Sequence, residues 1–213
     1  VGMLPAELMG LKQNKFKRFN HLIRNKSFLN ALVLNVSNTI NLIKQKKFNS
    51  IILNYDESST NLFNWYQQLI AESLGKNNKG ILPIISLLPK DNHSLMQLYL
   101  DGFKNNFFTF FFVQDNVKKN IINSNIIDTH SYLTGKSLND ILEAQFNATK
   151  KVFIKKKIPF RSFYIRKKNE ETLGELFTFF ILETILLGKA MKINPYNQPA
   201  VELIKKETKK NLI

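Results

Sequence analysis

The sequence predicts an α/β fold, a doubly wound and mainly parallel sheet flanked by helices and followed by a carboxyl-terminal helix. Three observations carry this. Short apolar runs of strand length alternate with longer segments in which apolar residues recur every three or four positions. The short runs are apolar on both faces, the pattern of strands covered on both sides of a parallel sheet. Finally, the 213 residues are 44% hydrophobic and 22% charged, which excludes a disordered tail and supplies a core.

Taken in order, Pro5 to Leu11 reads as a short helix, with proline placed in the first turn, where its missing N–H leaves nothing unpaired. Phe16, Phe19, Leu22 and Ile23 recur at helical spacing. From Phe28 to Lys46 the residues Leu29, Leu32, Val33, Val36, Ile40 and Ile43 form one apolar helical face, and Lys44 to Lys47 suit the negative end of its dipole. Ser50 to Tyr55 is a strand. Thr60 to Leu74 is a helix whose exit is marked by Gly75 and Gly80. The alternation continues with a strand over Ile81 to Leu87, a helix over Ser94 to Leu100 and a strand over Phe107 to Val113. Then come a helix over Leu138 to Lys155 introduced by Ser137, a strand over Phe160 to Ile165 and a helix over Glu170 to Met191. Pro199 to Lys210 is the terminal helix. Asp115 to Lys136, rich in Asn and without periodicity, reads as a long surface loop. No repeat and no low-complexity linker divides the chain, so residues 1–213 are expected to form a single domain.

Composition narrows the function. With no cysteine there is no disulfide, thiolate metal site or Cys nucleophile. The three histidines, His21, His93 and His130, lack the spacing of a zinc site, and neither a Walker loop nor a dinucleotide fingerprint is present. Neither a metal nor a cofactor is therefore expected. Leu173 to Leu187 is the most apolar stretch, but it carries Glu175 and Glu183 and falls short of the ~20 residues of a bilayer span. No secretory signal is visible at the start, and a cytoplasmic protein is expected. The excess of 31 Lys and Arg over 16 Asp and Glu, a formal charge of +15, leaves three partners open: nucleic acid, an anionic membrane or a small anionic substrate. The lysine runs close helices and the phenylalanines sit at core spacing, which speaks against nucleic acid; with no stretch of bilayer length, no membrane partner is expected either.

Three constellations could carry chemistry. Gln68 and Glu72 share a helix face, and Glu72 stands near the helix's negative end, which raises a carboxylate's pKa toward the range of a general base. The alternative is a solvated glutamate on an amphipathic helix. Asp91-Asn92-His93-Ser94 forms a strand-to-helix turn at the carboxyl edge of the sheet, where open α/β folds bind ligands. Its alternative is Asp91 or Asn92 as a helix cap, with His93 an exposed first-turn residue. In Asn194-Pro-Tyr-Asn-Gln198-Pro199, Gln198 falls at an N-cap, with Lys205 two turns on and on the same face, an arrangement suited to a phosphate.

Together these segments resemble the carboxyl-terminal half of the glucose-6-phosphate isomerase family. The strings are Gln68-Leu-Ile-Ala-Glu72-Ser-Leu-Gly-Lys76, then Asp91-Asn-His93-Ser94 followed by Gln97-Leu98, then Asn194-Pro-Tyr-Asn-Gln198-Pro-Ala-Val-Glu202 with Lys205, in the family's order from Gly2-Met-Leu-Pro5 to the last helix. The resemblance implies a sugar-isomerase-type fold and reversible conversion of glucose 6-phosphate to fructose 6-phosphate through a cis-enediolate. It casts Glu72 as the base moving a proton between C1 and C2, and His93 as the ring-opening residue delivered across a homodimer. It casts Lys205 as an aid to ring opening, and Gln68 and Gln198 as substrate and phosphate contacts. The chain departs from the family at Asn92, where Gln is usual, at Asn197, where Asp is common, and at Ala200 and Ile204, where glycines are usual near Lys205.

The family's Ser/Thr-rich phosphate segment and its Gly-Arg pair precede the Gly2-Met-Leu-Pro5 string. The 213 residues alone are therefore expected to be a carboxyl-terminal fragment with little or no activity. Losing an electrostatic stabiliser such as that Arg costs about two to three orders of magnitude. The competing expectation is a sugar-phosphate-binding module of similar fold without catalysis, which would have no use for a carboxylate at position 72.

Overall fold

The structure, a computed structural model, describes residues 3–114, 121 and 132–213. Gly2, His130 and most of the loop expected over Asp115 to Lys136 lie outside the described residues. The chain runs through helices α1 (Met3–Leu8), α2 (Gln13–Phe16), α3 (Phe19–Leu22) and α4 (Lys26–Lys44) into strand β1 (Asn49–Asn54). A 3-10 turn, Glu57–Ser59, leads into α5 (Thr60–Leu74), followed by β2 (Leu82–Leu87), α6 (Asp91–Ser94), α7 (Met96–Asp101) and β3 (Asn106–Val113). The described chain closes with α8 (Leu138–Lys155), β4 (Phe160–Ile165), α9 (Glu170–Ala190) and α10 (Pro199–Leu212).

These four strands are parallel, in the order β2-β1-β3-β4, with Asn49 opposite both Leu82 and Asn106, and Phe108 opposite Phe160. The chain steps outward from β1 to β2, then crosses back over β1 to build β3 and β4. The winding therefore reverses between β1 and β3. Both central strands are buried along nearly their whole length. On one face Ile52, Phe107 and Phe111 pack against α4, α5 and α9 through Leu32, Phe63, Ile70 and Phe180. On the other, Ile51, Leu53, Phe108 and Phe110 pack against Tyr99, Phe146 and Phe153 of α7 and α8. Each fully buried Phe contributes roughly 1.5–3 kcal/mol of apolar burial, and edge-to-face contacts such as Phe108–Phe153 at 4.9 Å fix their relative orientation.

Local chemistry sets the helix ends. Asn25 caps α4 by accepting from the Phe28 N–H at 3.1 Å, and Ser137 and Asp140 form a reciprocal capping box on α8. Helix α4 stops at Lys44, two residues short of the Lys46 expected from periodicity, because Lys46 adopts a left-handed conformation (φ 61°). The helix expected over Ser94 to Leu100 is two short helices. Asp91 turns back to accept from Ser86 Oγ and the Leu87 N–H, both at 2.8 Å, which starts a turn at Asp91. Leu95, at φ −123°, then breaks the helical path. Asp91 thus ties the turn to β2 and is not a helix cap. Among the described residues, no helix is long and apolar enough to cross a membrane.

Candidate functional site

Helix α5 descends from the carboxyl end of β1 and ends where β2 begins, so its last turn lies at the amino edge of the sheet. The Gln67 side chain, donating to the Pro83 carbonyl at 2.8 Å, holds the helix on β2. Glu72, half-buried in that last turn, has both carboxylate oxygens engaged. Oε1 accepts from Gln68 Nε2 at 2.9 Å, the helical contact expected from their spacing. Oε2 accepts from Gln198 Nε2 at 2.6 Å, a contact 126 residues away in sequence.

Two lysines bring that distant glutamine into place. Lys76 Nζ donates to the Ser73 carbonyl at 2.9 Å and to the Asn194 carbonyl at 2.7 Å, and Lys79 Nζ donates to the Met191 carbonyl at 3.0 Å. Both clasp the segment leaving α9 to the end of α5. Desolvation pulls the Lys76 pKa below its ordinary value. Gly188 helps from the other side, since a Cβ there would meet Pro195 side-chain atoms at 3.2–3.3 Å. Gln198 does not use its side chain to cap α10, because the amide is committed to Glu72. The sequence pattern includes Lys76 in a motif without giving it a role. Its signal is a lysine placed directly after a helix-ending glycine, where an ammonium can reach the helix's last carbonyls.

Among the described residues no lysine or arginine pairs with Glu72. The carboxylate is held by two neutral amides, which fix its orientation and leave its charge unopposed. That combination suits a group that exchanges a proton with a bound carbon acid. No group of three or more His, Asp or Glu side chains that could hold a metal converges among the described residues.

The structure brings Gln68, Glu72 and Gln198 together and leaves the other two predicted residues elsewhere. His93 is exposed on α6, beyond the carboxyl end of β2. Six residues of strand at about 3.3 Å each put roughly 20 Å between the two edges. Glu72 and His93 of one chain therefore face opposite ends of the sheet. Lys205 lies on α10, where its Nζ donates to Glu202 Oε1 at 2.7 Å, and both side chains are exposed. Ala200 and Ile204 are exposed on the same helix.

No protein-family model matches the chain, whereas individual relatives match along nearly all of it. The chain is 35% identical over 213 residues to a glucose-6-phosphate isomerase of Mycoplasmopsis pulmonis, covering 96% of this chain and 50% of that protein. It is 33% identical to the glucose-6-phosphate isomerase of Methanocaldococcus jannaschii, covering 97% and 52%. In fold it matches the crystal structure of a hypothetical protein from Thermus thermophilus, with a TM-score of 0.86 at 24% identity over 99% of this chain and 53% of that one. A glucose-6-phosphate isomerase structure from Chlamydia trachomatis matches with a TM-score of 0.64 at 16% identity, over 78% of this chain and 34% of that one. These structural likenesses establish the fold alone. The chain spans about half the length of the curated relatives it matches, and by sequence it belongs to the glucose-6-phosphate isomerase family.

Proposed function

We propose that this chain carries the proton-transfer half of an aldose–ketose isomerase site acting on glucose 6-phosphate and fructose 6-phosphate in the cytoplasm, with Glu72 as the base. The observation that carries the reading is the Glu72 carboxylate held by Gln68 and Gln198 with no paired cation among the described residues. Moving a proton between adjacent carbons through a cis-enediolate needs one base that takes the proton from C2 and returns it to C1 on the same face. A carboxylate fixed by two amides meets that demand without reorganising between the two steps.

Ring opening needs an acid and a base at the ring oxygen and O1. His93 is suited to one of these tasks, yet within one chain it stands at the far edge of the sheet from Glu72. That separation favours a homodimer in which one protomer's His93 completes its partner's site. Lys205 would serve ring opening after releasing Glu202, and the amides of Gln68 and Gln198 would border the substrate. Little turnover is expected from the 213 residues alone, because the family's Ser/Thr-rich phosphate segment and Gly-Arg pair have no place among them.

Glu72→Gln in the full-length protein tests the reading. Turnover in a coupled isomerase assay should fall by about 10²- to 10⁴-fold, with hexose 6-phosphate binding retained. Unchanged turnover removes Glu72 as the base. Sugar-phosphate binding without turnover in the unsubstituted full-length protein would establish a non-catalytic module instead.

A further inference from the structure

In a parallel sheet, every helix that leads directly into a strand ends at the amino edge. Lysine runs that sequence alone reads as separate helix ends are thereby gathered on one face of the molecule. The gathering is tightest where β3 and β4 begin. There Lys47, just past α4, Lys104, just before β3, and Lys156 and Lys157, just past α8, line one cleft of about 90 Å³. Its walls include Tyr99, Phe103 and Pro159.

On the floor, the Asn106 side chain is engaged within the protein, donating to the Phe103 carbonyl at 3.3 Å and accepting from Asn49 at 2.8 Å. Among the described residues one carboxylate answers the four ammonium groups: Asp101, 3.8 Å from Lys156 Nζ, with both side chains largely in water. Lys47 is half-buried, and its ammonium is anchored at the cleft by donation to the Lys104 backbone carbonyl.

Lys157 sits just past α8 at φ 55°, a left-handed helix-ending position that Lys46 and Lys192 also adopt and that asparagine tolerates.

We propose that Lys47, Lys104, Lys156 and Lys157 form a second anion site, separate from Glu72, for a ligand bearing two or more linked phosphate groups. Four cations exceed the charge of a single phosphate, whereas a short phosphate chain can balance them. The same chemistry is presented by a free oligophosphate and by a nucleic-acid backbone.

Titrating the full-length protein with tripolyphosphate, inorganic phosphate and an oligothymidylate separates these sources. Tripolyphosphate is expected to bind saturably, at least about ten-fold tighter than inorganic phosphate, and to weaken steeply between about 50 and 200 mM salt. The double variant Lys104→Gln/Lys157→Asn is expected to lose most of that binding with an unchanged circular dichroism spectrum, since asparagine tolerates the left-handed position. Glu72→Gln is expected to bind tripolyphosphate normally, which separates this site from the isomerase reading. Tripolyphosphate binding no tighter than phosphate, equal binding by the double variant, or binding of the oligothymidylate alone would each overturn the proposal.

Discussion

Two carboxylates on the same side of the sheet show how one functional group serves opposite ends. Glu183, on α9, is 1% exposed. Its oxygens accept from Arg161, from Asn35 Nδ2 at 2.5 Å and from the Tyr66 hydroxyl at 3.1 Å. Arg161 in turn donates to the Thr109 hydroxyl at 2.9 Å, to Asn35 Oδ1 at 2.9 Å and to the Tyr66 oxygen at 3.1 Å. This network ties α4, α5 and α9 to β3 and β4. Burial alone would pull the Arg161 pKa down, but the charge of Glu183 and the contact with Tyr66 outweigh it and the pKa rises. Burial, then the nearby Glu183 charge, also pushes the Tyr66 pKa up. Glu72 has a comparable number of hydrogen bonds but no cation and a half-open position. The carboxylate that holds the fold is locked to a guanidinium in the core; Glu72 is oriented by two amides at an edge, with no charged partner among the described residues.

The sharpest way to break that contrast is to remove one partner of the buried pair. Arg161→Leu or Glu183→Leu alone leaves an unpaired charge in the core and is expected to cost about 3–5 kcal/mol, read as a fall in the denaturant midpoint. Replacing both together should cost less than the sum, because neither charge is then stranded. At the other carboxylate, Glu72→Gln is expected to leave stability within about 0.5 kcal/mol while removing catalysis. Equal stability losses at the two positions would erase the distinction.

Lys76→Met probes the intermediate case, in which a structural cation acts on the site through another residue. Loss of its bonds to the Ser73 and Asn194 carbonyls is expected to cost about 1 kcal/mol. By loosening the segment that carries Gln198, it should lower kcat about ten-fold with little change in KM. Gln198→Ala should reproduce the kcat effect without the stability loss; if it does not, Gln198 has no orienting role.

The elements were legible because their periods are unambiguous. The unbroken Phe-rich run of β3 could only be a strand buried on both faces, and the Gln68–Glu72 contact follows from helical spacing. The site's other half was illegible. At the start of α10 the local pattern favours Gln198 as an N-cap, and the Lys76 and Lys79 clasps, side chains bonding to backbone carbonyls, bring it to Glu72 instead. Local pattern cannot report such a contact. Glu183 in an apolar helix announced that it needed a partner, yet Arg161 on an edge strand carries no mark of being that partner. The opposite placement of Glu72 and His93 was implicit in the predicted topology, because a helix returning from a strand must end at the amino edge. The carboxyl-edge rule for α/β ligand sites directed attention to His93 alone.

Asp56 lies between the two extremes and supplies the smallest test. It is partly buried in the turn after β1 and accepts from Lys168 Nζ at 2.7 Å, Ser58 Oγ at 2.7 Å and Ser59 Oγ at 2.5 Å. Burial alone would push its pKa up, but the hydrogen bonds from Lys168, Ser59 and Ser58 outweigh this and hold it below 3.8. A carboxylate whose folded pKa is depressed adds stability that is present above the unfolded value and lost as pH falls through the folded one. Thermal unfolding followed from neutral pH to below 3.8 should therefore show the stability gap between the unsubstituted chain and Asp56→Asn closing at the acid end, from a start of under about 1 kcal/mol. Lys168→Met removes the stronger of the opposing contacts while leaving the burial, so it should flatten that acid limb. A gap that stays constant with pH would mean that the Lys168 contact does not matter to the fold.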